Sequence, residues 1–126
     1  MIVLDTSALI RFFTGDDEAK AKKIKKLLES DKKLLLIDAV LMELIFTLSK
    51  YYKLPKMQLI EILKYLMSRP NIEINNHLRR AVNIYEENNL SITDCLVLAY
   101  GEGNEIASFD NKLVLVREAV GGKDQS

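Results

Sequence analysis

Short apolar runs alternate along this chain with longer stretches of helical spacing. Residues 1–4, 34–37, 71–74, 105–107 and 113–116 have the length and apolar content of strands. Residues 16–30, 38–52, 56–67, 76–87 and 91–100 carry helical periodicity instead, and a shorter helix through 8–13 follows the first run. In "HLRRAVNIY" the apolar set Leu78, Ala81, Val82 and Tyr85 recurs at i, i+3, i+4 and i+7, which is one face of a helix. Pro55 suits a helix start, where its missing N–H costs little. Gly101 and Gly103 stop the helix ahead of the fourth apolar run.

Strands too apolar to be half exposed, separated by helices, predict a parallel sheet covered on both faces. The expected fold is therefore α/β, a three-layer α/β/α sandwich around a central, mainly parallel sheet. At 126 residues the chain is expected to form a single domain over 1–120, with a polar tail over 121–126 after Gly121 and Gly122. No segment reaches the roughly 18 to 20 unbroken apolar residues of a membrane span, and no basic stretch precedes a signal-like apolar region. One cysteine, Cys95, cannot form an intrachain disulfide and fits a reducing, cytoplasmic setting. Lys+Arg and Asp+Glu both number 18, so no overall field draws in a polyanion. Nucleic-acid binding would need a local patch, or metal ions held by acids.

Four acids stand where chemistry is expected. Ligands of open parallel sheets bind outside the carboxyl ends of the strands, and Asp5 ends the first run there. Asp5, Thr6 or Ser7 could equally cap the helix that follows. Asp110, in "IASFDNKL", again follows an apolar run and a hydroxyl, Ser108; an Asx turn is its other reading. Asp94 in "SITDCLVLAYG" is spaced from Ser91 as in a capping box, which does not preclude ligation. Glu43 interrupts "AVLMELIFTL"; with Thr47 and Lys50 it could simply form that helix's polar stripe. Taken together, burying such acids in one pocket would be costly: two carboxylates about 4 Å apart repel by roughly 4 kcal/mol at an effective dielectric near 20. A divalent cation removes that cost. Oxygen donors point to Mg²⁺ or Mn²⁺, since one His and one Cys give no zinc spacing.

The order and spacing of "MIVLDTSALI", of Glu43 in an apolar helix, of "SITDCLVLAYG" and of "IASFDNKL" resemble the PIN-domain nucleases, especially the VapC-type toxins of toxin–antitoxin pairs. The likeness spans residues 1–116. It implies an endoribonuclease dependent on Mg²⁺ or Mn²⁺, with Asp5, Glu43, Asp94 and Asp110 as metal-binding and catalytic acids and Thr6, Ser7 and Ser108 supporting them. It further implies products with a 5′-phosphate and a 3′-hydroxyl, a homodimer, and a cognate antitoxin whose peptide fills the acidic groove. Some family members carry another acid two places after the fourth; here that place is Lys112, which leaves open whether one or two ions bind.

Other features carry blander readings. In "KAKKIKKLL" the lysines cover the wet face of a helix whose stripe is Ala21, Ile24, Leu27 and Leu28, although a grip on RNA phosphates is the other reading. "GDDE" complements a helix N-terminus. His77 has no ligand or triad spacing and is expected at the surface. Two rival enzyme or signalling classes fit less well: haloacid-dehalogenase-type phosphatases want an Asp at position 7, where Ser7 stands, and a receiver domain wants an acceptor Asp that "NIEINNH" lacks. A non-catalytic binding module on the same scaffold is the remaining alternative. The apolar surplus of "LMELIFTLSKYYKL" and "LIEILKYLM" predicts a homodimer through that helical pair.

Overall fold

A computed structural model describes residues 1–111 and residue 113. The chain folds as two compact units, Met1–Asn75 and Asn76 onward.

The first unit runs β1 (Ile2–Val3), α1 (Thr6–Thr14), α2 (Glu18–Leu28), β2 (Leu34–Leu35), α3 (Asp38–Lys50), α4 (Lys56–Ser68) and β3 (Ile72–Glu73). The three strands form one parallel sheet in the order β1-β2-β3, with Ile2 opposite Leu34, Leu34 opposite Ile72 and Leu35 opposite Glu73. Parallel neighbours need a long crossover, and two helices fill each one here. The α/β class and the parallel pairing are as the sequence predicts. Each regular strand, however, is only 2 residues long. Bonds just outside them lengthen the ladder: Leu4 N–H donates to Leu35 O at 2.9 Å and Leu36 N–H to Glu73 O at 3.1 Å.

The middle strand is buried on the face of Leu34 and Leu36 and half-buried on the face of Leu35, while the edge strand is exposed. Leu34 and Leu36 are fully buried, but Ile2 is 39% and Val3 59% exposed, because β1 pairs on one side only among the described residues. Above the sheet residues, the unit's core comes from Leu9 of α1, Leu28 of α2, Leu41, Leu44, Ile45 and Leu48 of α3, and Leu59, Leu63 and Leu66 of α4. The α3 set recurs at i, i+3, i+4, i+7, so a single face is buried and α1 and α4 can both pack on it.

The second unit contains α5 (Asn76–Glu87) and α6 (Ile92–Gly101), packed on each other. The predicted face of α5, Leu78, Ala81, Val82 and Tyr85, is buried together with Ile84. Cys95 is a free, fully buried thiol in α6. Arg80 Nε donates to both carboxylate oxygens of Glu102, at 2.9 and 3.0 Å, tying α5 to the end of α6.

One expected strand is corrected, and another at its first residue. Residues 105–107 are irregular, because the chain leaving α6 is used to close that helix. Asn104 N–H donates to Gly101 O at 3.0 Å, Asn104 Nδ2 donates to Tyr100 O at 2.8 Å, and Ile106 lies where a Cβ on Gly101 would stand. Glycine at 101 is what allows that approach. Leu113, expected at the start of a strand, is helical and buried; residues 114–116 lie outside the described set, as does the tail at 121–126.

Candidate functional site

Asp5 is set by the strand before it and the helix after it. It is the N-cap of α1 at φ −103° and ψ 152°, and its carboxylate accepts from Ser7 N–H at 3.4 Å and Ser7 Oγ at 2.7 Å. These bonds favour the ionised form and hold the Asp5 carboxyl below its usual range, the Ser7 hydroxyl contributing most. Behind it, Thr6 is buried, and its Oγ1 finds no hydrogen-bond partner among the described residues.

Glu43 lies on the exposed line of α3 that also carries Ala39, Phe46 and Lys50. Asp94 is half-buried in the first turn of α6, where its N–H donates to Ser91 Oγ at 3.1 Å. The capping half of the S-x-x-D pattern is thus formed, while nothing among the described residues engages the Asp94 carboxylate. Asp110 is exposed; its N–H donates to Ser108 Oγ at 3.0 Å and its Oδ1 accepts from Leu113 N–H at 3.4 Å, so it opens a helical turn instead of joining two strands.

Asp5 and Glu43 thus belong to the first unit, Asp94 and Asp110 to the second. Among the described residues no group of three or more His, Cys, Asp or Glu is gathered as a metal site. Each acid is solvated where it stands: Asp5, Glu43 and Asp110 are exposed and Asp94 is half-buried, so none carries the full desolvation cost of a buried carboxylate. What each acid offers still suits a hard cation. All are oxygen donors, and Asp5 is oriented by Ser7, whose bonds favour its ionised form.

One feature of the first unit escaped sequence reading. At the carboxyl ends of β2 and β3 an open cavity of about 540 Å³ is lined by Leu35, Leu36, Ile37, Asp38, Ala39, Glu73, Ile74 and Asn75. Asn75 Nδ2 donates to Asp38 Oδ1 across it at 2.6 Å. The signal was present as a polar residue directly after each apolar run, Asp38 and Asn75, in the same relation as Asp5 to the first.

The remaining motifs take structural places. Asp17 caps α2 by accepting from Lys20 N–H at 3.1 Å, and Leu28 of the predicted stripe is buried while Lys22, Lys23, Lys25 and Lys26 are exposed. His77 is exposed and stacks on Tyr100, with ring centroids 4.0 Å apart.

Comparison with known proteins gives a match of residues 2–118 to the PIN domain family. The chain is also 28% identical over 102 residues, 76% of its own length and 75% of the relative's, to the VapC ribonuclease of Aquifex aeolicus (strain VF5). No solved structure matches.

Proposed function

Because the chain belongs to the PIN-domain family, we propose that it is a metal-dependent endoribonuclease, the toxin of a toxin–antitoxin pair, that hydrolyses RNA phosphodiester bonds. The observation carrying this reading is the family match over 2–118, which spans all four acids; the similarity to a VapC ribonuclease supports the RNA substrate and the antitoxin partner.

In this reading Asp5 and Asp94 hold a Mg²⁺ or Mn²⁺ ion, and Glu43 and Asp110 complete its water shell. Such an ion lowers the pKa of a bound water and offsets charge on the phosphodiester. The chain's own part is orientation. Ser7 holds the Asp5 carboxylate in place, Ser91 fixes the backbone of Asp94, and Ser108 does the same for Asp110. Thr6 Oγ1 supplies a buried donor immediately behind the first ligand.

Purified protein incubated with Mn²⁺ and a panel of RNAs tests the activity. Cleavage that EDTA abolishes, and that Asp5→Asn lowers at least a hundredfold in a folded protein, supports it. Undiminished cleavage by Asp5→Asn removes Asp5 from the mechanism. A non-catalytic module would show no Mn²⁺ binding dependent on Asp94 in calorimetry.

The homodimer belongs to the same proposal. Phe46, Tyr51 and Met57 are 55%, 67% and 76% exposed around the α3–α4 connection, more than a solitary chain has reason to leave wet. Light scattering of the wild type should give a dimer and Phe46→Asp a monomer; a wild-type monomer at micromolar concentration contradicts it.

A further inference from the structure

We infer that the cavity at the carboxyl ends of β2 and β3 receives the base of a nucleotide beside the scissile phosphate, and that Asp38 and Glu73 make it prefer guanine. This deepens the nuclease reading and rests on it for the identity of the polymer.

Position is the first argument. The register that sets Val3 against Leu35 and Leu35 against Glu73 brings Asp5, Ile37 and Asn75 to the same end of the sheet. Strands lie about 4.8 Å apart, so Asn75 and Asp5 are separated by two spacings, about 10 Å, the scale of one nucleotide. Open parallel sheets bind ligands at that end.

Electrostatics then selects what enters. The wall carries two carboxylates and an amide, and no lysine or arginine is among the lining residues. A phosphate is repelled. A metal ion has no third acidic or imidazole ligand there among the described residues. What suits the cavity is a neutral, flat group with an apolar body for Ile37, Ala39 and Ile74 and N–H donors for the acids.

Among the four RNA bases, guanine alone sets two adjacent N–H donors, at N1 and N2, on one edge, matching the two oxygens of a carboxylate. Adenine and cytosine place a donor beside an acceptor, and the uracil N3–H is flanked by two carbonyls. Glu73, whose carboxylate has no ion pair or hydrogen bond among the described residues, is the primary acceptor. The bond from Asn75 positions Asp38 as the second.

Two readouts test this on the full chain. Guanosine titrated without metal should shift the NMR methyl signals of Ile37 and Ile74, with affinity at least tenfold weaker in Glu73→Gln, while adenosine, cytidine and uridine at equal concentration leave them in place. Absent shifts, or equal shifts from all four nucleosides, overturn the proposal. On a randomised RNA library with Mn²⁺, the wild type should enrich guanine beside the cut, and Asp38→Asn and Glu73→Gln should lose that enrichment while still cleaving. Enrichment unchanged in both variants overturns it. A chain that binds guanosine here yet cleaves no RNA supports the base cavity and refutes the nuclease reading, so the two failures are told apart.

Discussion

Ser91 offers the cleanest separation of helix capping from chemistry. Its Oγ accepts the Asp94 N–H at 3.1 Å and so satisfies one of the four unpaired donors at the start of α6. Ser91→Ala removes that acceptor. Ser91 is exposed, so water partly replaces it, and α6 stays anchored by buried Ile92, Cys95, Leu98 and Ala99. The loss is therefore confined to the first turn, and the usual cost of a cap replaced by alanine, about 1 kcal/mol, applies without a packing increment. For a chain of 126 residues that corresponds to a fall in melting temperature of about 3–5 °C. Asparagine caps as well as serine, and glycine loses only a few tenths of a kcal/mol. Circular-dichroism melts should rank Ser and Asn together, Gly slightly below and Ala lowest. If Asp94 is a ligand, kcat for RNA cleavage should follow the same order with KM nearly constant, since a frayed first turn no longer holds the carboxylate still. An asparagine variant that melts as low as the alanine variant refutes the capping account. A kcat unmoved in all variants refutes the positioning of Asp94 by this cap.

Ser7→Ala should raise the pKa of Asp5, read by NMR titration of its side-chain carboxyl, because the hydroxyl bond that most favours the ionised form is lost while the backbone N–H bond stays. The sign follows from linkage: with the folded pKa lowered, Asp5 stabilises the wild type fully above its unfolded pKa, and that contribution disappears as pH falls through the folded value. The acid limb of the stability curve should be shallower in Ser7→Ala, and an unchanged Asp5 titration contradicts this. Leu44→Ala, at a fully buried position of α3, should cost about 2–5 kcal/mol in urea unfolding, with a smaller loss indicating that the site collapses. Gly15 ends α1 at φ 66°, where an added Cβ meets nothing within 4 Å, so Gly15→Ala should cost about 1–2 kcal/mol by backbone strain alone and Gly15→Asn visibly less.

Helices were legible because their signal is local. The spacing of Leu78, Ala81, Val82 and Tyr85 predicted α5 at Asn76–Glu87 and its buried face together, and Ser91 with Asp94 marked the start of α6. The first helix began earlier than its apolar content suggested. Asp5 acts as its cap, so Thr6 and Ser7 are helical residues, and the cap could have been Asp5, Thr6 or Ser7 on sequence grounds. Strand signals were weaker, since a short apolar run reads alike whether it pairs or not. Leu34 and Leu35 pair on both sides, and "EIA" at 105–107 does not, because Gly101 admits Ile106 against the end of α6. Glycine composition foretold a helix stop there, but not which residue would fold back onto it.

The acids expose the same limit at the level of the site. Apolar neighbours in "AVLMELIFTL" left open whether Glu43 joins a pocket or a polar stripe with Thr47 and Lys50, since neighbours on a helical wheel say only what shares the helix; the buried stripe Leu41, Leu44, Ile45 and Leu48 turns Glu43 outward with Lys50. Exposure changes what binding must accomplish. A buried cluster would need the ion in order to fold, whereas solvated carboxylates fold without it and gain it afterwards by attraction alone. Adding Mn²⁺ should then raise the melting temperature by a linkage increment that grows with the logarithm of metal concentration, while EDTA-treated protein keeps its full circular-dichroism signal. Loss of helical signal on chelation would return the acids to a buried, metal-dependent core and overturn the exposed arrangement.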